Sequence, residues 1–494
     1  MRFTSTRAKK DVESATAICQ GLSDEGGLFV PQSFPKISDQ LIEKLCQSDY
    51  QQRAFEILKL YLTDFTDDEI RYCVHGAYEN KFDDNNPAPL KAVFGNANLL
   101  ELWHGPTCAF KDMALQLLPY LLTKSAAKVS DGKTMVILVA TSGDTGKAAL
   151  DGFADVENTK IIVFYPEDGV SPMQKRQMTT QEGQNVAVCA IKGNFDDAQT
   201  GVKAIFGDQD MKAYLANKNM EFSSANSINF GRLVPQVVYY VSAYCDLINS
   251  GKIKKGETFN VVVPTGNFGN ILAAFYAKQM GIPIGKLICA SNKNNVLTDF
   301  IETGIYDKNR QFFTTVSPSM DILISSNLER LLYHLYNGDT KTVGGLMQAL
   351  KAEGTYRVSD EVLQKIKADF FGGYCDEQET QKTIHELFTK YHYLCDTHTA
   401  VAVKVYNDYV AKTGDQTQTV IASTASPYKF AASVLPCVTG DDLPADDFEK
   451  VELLSRLTGT AIPAPLAALQ TKPVLHKTCC EKQEMGAFIK SFLN

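Results

Sequence analysis

The run His104-Gly105-Pro106-Thr107-Cys108-Ala109-Phe110-Lys111-Asp112 puts one lysine, Lys111, where it can do chemistry. Behind it, apolar residues recur at helical spacing: Phe110, Met113, Ala114, Leu117, Leu118, Leu121 and Leu122. The pattern predicts that a Gly-Pro turn delivers Lys111 to the first turn of an amphipathic helix anchored to a core by its apolar stripe. An ammonium held this way is pre-aimed and partly desolvated, which lowers its pKa and makes it a nucleophile toward an aldehyde. Taken alone, a lysine is more often a solvated side chain on an ordinary helix. The rest of the chain has to supply the partners.

Three apolar runs end in turns rich in Gly, Ser, Thr or Asn that lead into a helix. In open α/β sheets that carboxyl edge is where ligands bind. The first turn is Thr141-Ser142-Gly143-Asp144-Thr145-Gly146. Its small residues let backbone N–H groups approach an anion at a helix N-terminus, with three hydroxyls nearby. A nucleotide P-loop fails here, because Thr141 replaces the first glycine and Ala148 stands where a magnesium-binding hydroxyl is required. A plain turn remains the alternative. The second, Thr265-Gly266-Asn267-Phe268-Gly269-Asn270, reads as a phosphate cradle of backbone donors, although a tight strand–helix turn looks similar. The third, Ser423-Thr424-Ala425-Ser426-Pro427, places a hydroxyl where it can bond a ring nitrogen or cap a helix. A fourth stretch, Ser224 to Arg232, gathers amides, hydroxyls and a guanidinium suited to a phosphate or carboxylate. By itself it is equally a polar loop with a solvated arginine.

Together these residues resemble the threonine synthase family, pyridoxal-phosphate enzymes of the tryptophan synthase β-type fold (fold type II). The likeness runs from Gly21-Leu22 and Gly26 to Pro31 through the lysine run, TSGDTG, Tyr165-Pro166, SANSIN and TGNFGN. It implies an α/β architecture of two parallel-sheet domains with an additional N-terminal segment. It implies that Lys111 is the catalytic residue and carries the pyridoxal 5′-phosphate. Gly266, Asn267, Phe268, Gly269 and Asn270 would hold the cofactor phosphate, Thr424 would face the pyridine nitrogen, and Asp144 would lie on the 3′-oxygen side. Thr141, Ser142 and Thr145 match the loop that meets substrate, and Asn226, Ser227 and Arg232 the segment that binds its phosphate. The reaction implied is conversion of O-phospho-L-homoserine and water to L-threonine and phosphate. A serine/threonine dehydratase-like lyase would share the lysine and cradle but not need the segment ending in Arg232. A catalytically inactive ligand-binding relative would not need Lys111 and Thr424 intact. The oligomeric state stays between monomer and homodimer. One departure from the family pattern is Thr397, which precedes His398 where relatives commonly have proline; it should alter a turn.

Positioning these residues takes strands alternating with helices. Candidate strands are Met135–Ala140, Lys160–Tyr165, Val186–Ile191, Phe259–Val263, Leu287–Ala290 and Thr419–Ala422. Such alternation implies parallel sheets with helices on their faces. The expected units are an N-terminal cap of 1–100, a small α/β unit of 131–235, and a large cofactor unit of 101–130 with 236–494. The polar run Asp83 to Pro87 should be a loop closing the cap. The stretch 305–395 looks helical and charged, with no catalytic character. At 494 residues the chain needs more than one core.

Composition narrows the rest. With 44% hydrophobic and 21% charged residues the chain reads as globular, and a net charge of −8 argues against nucleic acid as a partner. No apolar window suits a membrane span, and MRFTSTRAKK has charges without a signal-like apolar core. Twelve cysteines without a CxxC pair fit reduced thiols in a cytoplasm. His385, His392, Cys395 and His398 are too loosely spaced for zinc, so no metal is expected; helix, turn and helix is the reading there.

Overall fold

The computed structural model describes all residues except 142, 169, 441 and 442. Ser142, expected in the substrate loop, therefore lies outside the described residues. Two sheets organise the chain. One has six strands in the order Phe370–Tyr374, Ile284–Ser291, Phe259–Pro264, Thr419–Ser423, Ala97–Glu101 and Leu90–Phe94. It is parallel throughout except for the terminal hairpin Leu90–Phe94/Ala97–Glu101. The other has five parallel strands in the order Cys479–Cys480, Val186–Ile191, Thr159–Pro166, Thr134–Ala140 and Met220–Ser223.

All six expected strands are present, each within a few residues of its predicted ends. They read as continuous apolar runs because both faces are covered. In Phe259–Pro264, Val261 and Val263 enter the large central core, whereas Val262 enters a second core under the helices Glu377–Tyr391 and Thr397–Thr413. In Thr134–Ala140, Met135, Ile137 and Val139 face the central core. Val136 and Leu138 face a third, where the last helix, Met485–Leu493, also packs. The end of the chain thus lies on the five-stranded sheet.

The N-terminal helices contribute Ile57, Leu58, Tyr61 and Cys73 to the same central core as the sheets. The polar run 83–87 is irregular, as its composition predicts. Several short strands have no signature in the sequence; Ala97–Glu101 lacks the β-branched residues that mark strands, and pairing with Thr419–Ser423 decides its state.

The helix expected behind Lys111 is split. A single turn, Asp112–Leu115, is followed by a separate helix, Leu118–Val129. Pro119 sits at the start of the second helix, has no N–H to donate to Leu115, and forces the restart. The stripe itself behaves as expected: Met113, Ala114, Leu117, Leu118, Leu121 and Leu122 are all buried.

The turn carrying Lys111 is pressed against the helix Asp144–Phe153 at Gly152, where a Cβ would stand 2.0 Å from the Leu115 carbonyl oxygen. Backbone cannot yield as a side-chain tip can. Gly152→Ala should therefore cost about 1–3 kcal/mol, read as a lowered denaturation midpoint. An unchanged midpoint would show that the two helices tolerate separation.

Candidate active site

The turns singled out above all lie at the carboxyl ends of parallel strands. Two of these ends are stitched together. Beyond Ala97–Glu101, Leu102 donates to the Ser423 carbonyl at 2.9 Å; further on, Phe110 N–H donates to Thr424 O at 2.8 Å and Ser426 N–H to Cys108 O at 3.0 Å. An antiparallel bridge joins Ala109 to Ala425. These bonds place Lys111 beside Thr424. The approach needs Gly105, because a Cβ there would meet the Asp112 carboxylate at 2.6 Å. Asp112 is fully buried and accepts from Thr107 N at 2.8 Å and Thr107 Oγ1 at 2.6 Å. Burial raises its pKa to about 6.

Lys111 Nζ lies 3.3 Å from Ser319 Oγ and 3.5 Å from Asp144 Oδ2. Asp144 is shared. Its Oδ1 accepts from Lys429 Nζ at 2.9 Å and from Gln174 Nε2 at 2.9 Å. Burial opposes the Asp144 charge, yet Lys429 and Lys111 overcome it and hold this carboxyl well below the usual range. Burial lowers the Lys111 pKa; Asp144 resists, and Lys429 and Arg232 reinforce the fall. Gly143 makes room for this arrangement: it has φ 144° and a Cβ there would strike the Gln174 side chain at 2.4 Å.

The loop 265–270 runs into the helix Gly269–Gln279, with Phe268 left-handed (φ 64°) as its cap. Among the described residues, the N–H groups of Gly266 to Asn270 have no acceptor within the protein. Asn267 is exposed, Gly266 and Gly269 are half-buried, and Phe268 and Asn270 are buried. Asn270 Oδ1 accepts from Tyr239 and Tyr240, while its Nδ2 is buried without a partner among the described residues. The set is a run of unused backbone donors with one spare amide, the chemistry an anion cradle requires.

Arg232 stands in the first turn of the helix Phe230–Asn249 and is only 4% exposed. One Nη donates to Ala225 O at 3.0 Å, whereas Nε has no partner among the described residues. Burial pulls its pKa down to about 10, so it stays charged near neutrality. A buried guanidinium with an unused donor is a ready anion contact. Asn226 is exposed and Ser227 half-buried on the same loop.

The loop after Thr134–Ala140 is organised by Thr141, whose Oγ1 accepts from Gly143 N at 3.0 Å and Gly146 N at 2.9 Å. Thr141 is buried and capping the loop, while Thr145 is half-buried.

The stretch 305–395 does reach the site, contrary to expectation. Ser319, in the short turn Pro318–Met320, sits between Lys111 and Asp144. Its carbonyl lies against Gly266, where a Cβ would come within 2.7 Å. His398 accepts from Ser319 N at 3.2 Å through Nε2, and its Nδ1 pairs with Asp396 at 2.7 Å. Asn327 ties the two anion segments together, donating to Ser227 O at 3.1 Å and to Asn267 O at 3.2 Å. Lys429, Gln174, Ser319 and Asn327 carried no motif; only Lys429, five residues after Thr424, had a sequence cue. Thr397 occupies the first position of its helix, which proline also suits, and donates to Val316 O at 2.7 Å. His385 meets the Cys437 carbonyl at 2.9 Å, and helix, turn and helix follow as read.

The chain matches the family described as threonine synthase N terminus over residues 2–78, pyridoxal-phosphate dependent enzyme over 99–424, and threonine synthase, C-terminal over 399–478. It is 42% identical to threonine synthase-like 1 of Homo sapiens over 85% of its own length, but spans only 57% of that relative. It is 37% identical to threonine synthase of Saccharomyces cerevisiae, with 89% of each chain covered. The crystal structure of PLP-bound threonine synthase from Brucella melitensis covers all of this chain and 99% of its own, with a TM-score of 0.89 at 35% identity.

Next to the lysine run, His104 lies between two carboxylates, with Nδ1 2.6 Å from Asp83 and Nε2 3.0 Å from Glu101, and stacks on Trp103. Burial disfavours its charge, but the two carboxylates outweigh burial and raise its pKa from 6.5 to about 9. The stabilisation is therefore complete below about pH 6.5 and is lost as pH rises through about 9, amounting to about 2–3 kcal/mol. Thermal melting should show a declining midpoint across that window, and His104→Asn should flatten the decline. A slope unchanged in the variant would assign the effect to other groups.

Proposed function

Since the chain belongs to the threonine synthase family of pyridoxal-phosphate-dependent enzymes, we propose that it converts O-phospho-L-homoserine and water to L-threonine and phosphate. One juxtaposition carries this reading. A desolvated lysine lies beside a set of unused backbone N–H donors, with a second, buried cationic anion site in Arg232. The residues suit pyridoxal phosphate: the cradle 266–270 and the spare Asn270 amide fit a phosphate ester, Lys111 an aldehyde, and Thr424 a ring nitrogen. When bound, this group supplies an electron sink for charge developing at the substrate carbons.

The chain's own residues supply the remainder. Once the substrate amine takes its place, Lys111 is a free amine that removes the proton from Cα and then serves as base and acid at the next carbons. Asp144 stays ionised and receives the charge of Lys111 whenever it is protonated. Thr424 offers a neutral hydroxyl, which, unlike a carboxylate, does not enforce a protonated ring nitrogen. Arg232, with Asn226 and Ser227, holds the phosphate as it leaves Cγ and balances its growing charge. Thr145 flanks the substrate, with Thr141 holding its loop in shape. We read 1–100, 131–235 and 101–130 with 236–494 as the working units, and the thiol-rich composition as that of a cytoplasmic enzyme.

Lys111→Ala should remove both turnover and the visible absorbance of the bound cofactor while far-ultraviolet circular dichroism stays native, because the apolar stripe is untouched. Normal turnover in that variant would refute the assignment.

Arg232 separates this activity from that of an eliminating relative. A charge-assisted bond to a phosphate contributes about 1.5–3 kcal/mol, or about one to two powers of ten in rate. Arg232→Ala should slow phosphate release from phosphohomoserine by at least that factor with the cofactor spectrum intact, and Arg232→Lys should recover part. Side reactions with serine or threonine, which carry no phosphate, should change little. Equal losses on both substrate types would mean that Arg232 holds the carboxylate or the fold.

A further inference from the structure

Asp144 carries two lysines, and they are held differently. Lys429 Nζ is completely buried, lies 2.9 Å from Asp144 Oδ1, and donates to the Thr107 carbonyl at 2.9 Å. Both partners are acceptors only, so the nitrogen between them has to be a donor toward each. Lys111 Nζ has longer contacts, 3.5 Å to Asp144 Oδ2 and 3.3 Å to Ser319 Oγ. Ser319 can donate its single hydroxyl proton to Asp144 Oδ2 at 3.2 Å, which turns a lone pair toward Lys111. The charged groups facing Lys111 come from three elements: Asp144 on Asp144–Phe153, Lys429 on Pro427–Phe430, and Arg232 on Phe230–Asn249. With every cation protonated, three positive charges would face Asp144, with Asp112 as the other buried carboxylate, on the Lys429 side. Desolvation penalises that excess. Of the two lysines, Lys111 has the longer contacts.

We infer that Lys429 is a positioning cation: pinned between Asp144 and the Thr107 carbonyl, it occupies the carboxylate that would otherwise favour a charged Lys111 and so weakens the hold of the Lys111 amine on its proton. The inference rests on the reading of Lys111 as the reacting lysine. Thr424 and Lys429 then belong to one device, since the strand end that faces the site with Thr424 delivers the second lysine five residues later. Thr107 links the two lysines, because it also holds Asp112, the residue directly after Lys111.

The test is competitive labelling of the full-length, cofactor-free chain with trace acetic anhydride across the lysine titration range, with the Lys111 peptide quantified by mass spectrometry. The wild-type midpoint should fall below the ordinary lysine value of 10.5. Lys429→Gln should raise the midpoint by about one pH unit, with labelling of Lys111 falling about tenfold at pH values well below the midpoint. Lys429→Arg, which keeps the charge, should label like wild type. A merely structural role for Lys429 would alter folding in both variants without this charge dependence. A wild-type midpoint at the ordinary value overturns the inference without any variant. So does a Lys429→Gln midpoint that does not rise, or that rises equally in Lys429→Arg. Borohydride reduction of the pyridoxal-phosphate-loaded wild type tests the parent reading separately. Failure to label Lys111 there would fault that reading and leave the titration result standing.

Discussion

The arrangement depends on one buried carboxylate. Asp144 comes from the five-stranded sheet, at the start of the helix that follows Thr134–Ala140, whereas Lys111 and Lys429 follow strands of the six-stranded sheet. Its two oxygens therefore join the halves of the molecule electrostatically, in a place where an unpaired charge is costly. Without Asp144, two ammonium groups would face one another beside Arg232. Much of the local sequence serves this contact: Gly143 admits Gln174 to one oxygen, and Ser319 reaches the other.

Around it, the site is assembled from strand ends rather than from one domain. The backbone bonds from 108–110 to 424–426 set Lys111 beside Thr424, and Asn327 holds the cradle 266–270 against the loop 224–229. Arg330, wholly buried, supports Asn327 and donates to Phe29 O at 2.9 Å, which extends the support to the N-terminal segment. The N-terminal residues thus share in holding the anion loops, as they share the central core. A buried donor left unused is one that a ligand can satisfy. Among the described residues the Asn270 amide, Arg232 Nε and the loop N–H groups are unused near Lys111, while the buried Tyr50 and Tyr61 hydroxyls are unused within the core.

What the sequence determined by itself was whatever depends on neighbours along the chain. Strands covered on both faces are continuous apolar runs, so the six core strands were legible, as were the glycine-rich turns that follow them. Lys111, the loop 265–270 and the Arg232 segment could be singled out because small residues at fixed spacing permit close backbone approach. The apolar stripe behind Lys111 is equally plain, although its periodicity runs on through the break at Pro119.

Tertiary structure decided the partners. Ser319, Lys429, Gln174 and Asn327 approach the site from 30 to 322 residues away along the chain, and a single serine, lysine, glutamine or asparagine has no periodicity to announce it. The strands Ala97–Glu101 and Cys479–Cys480 owe their state to the strands beside them. Which lysine meets which oxygen of Asp144, and at what distance, follows from the packing of two sheets. Electrostatic pairing acts through space, and a sequence records only order along the chain.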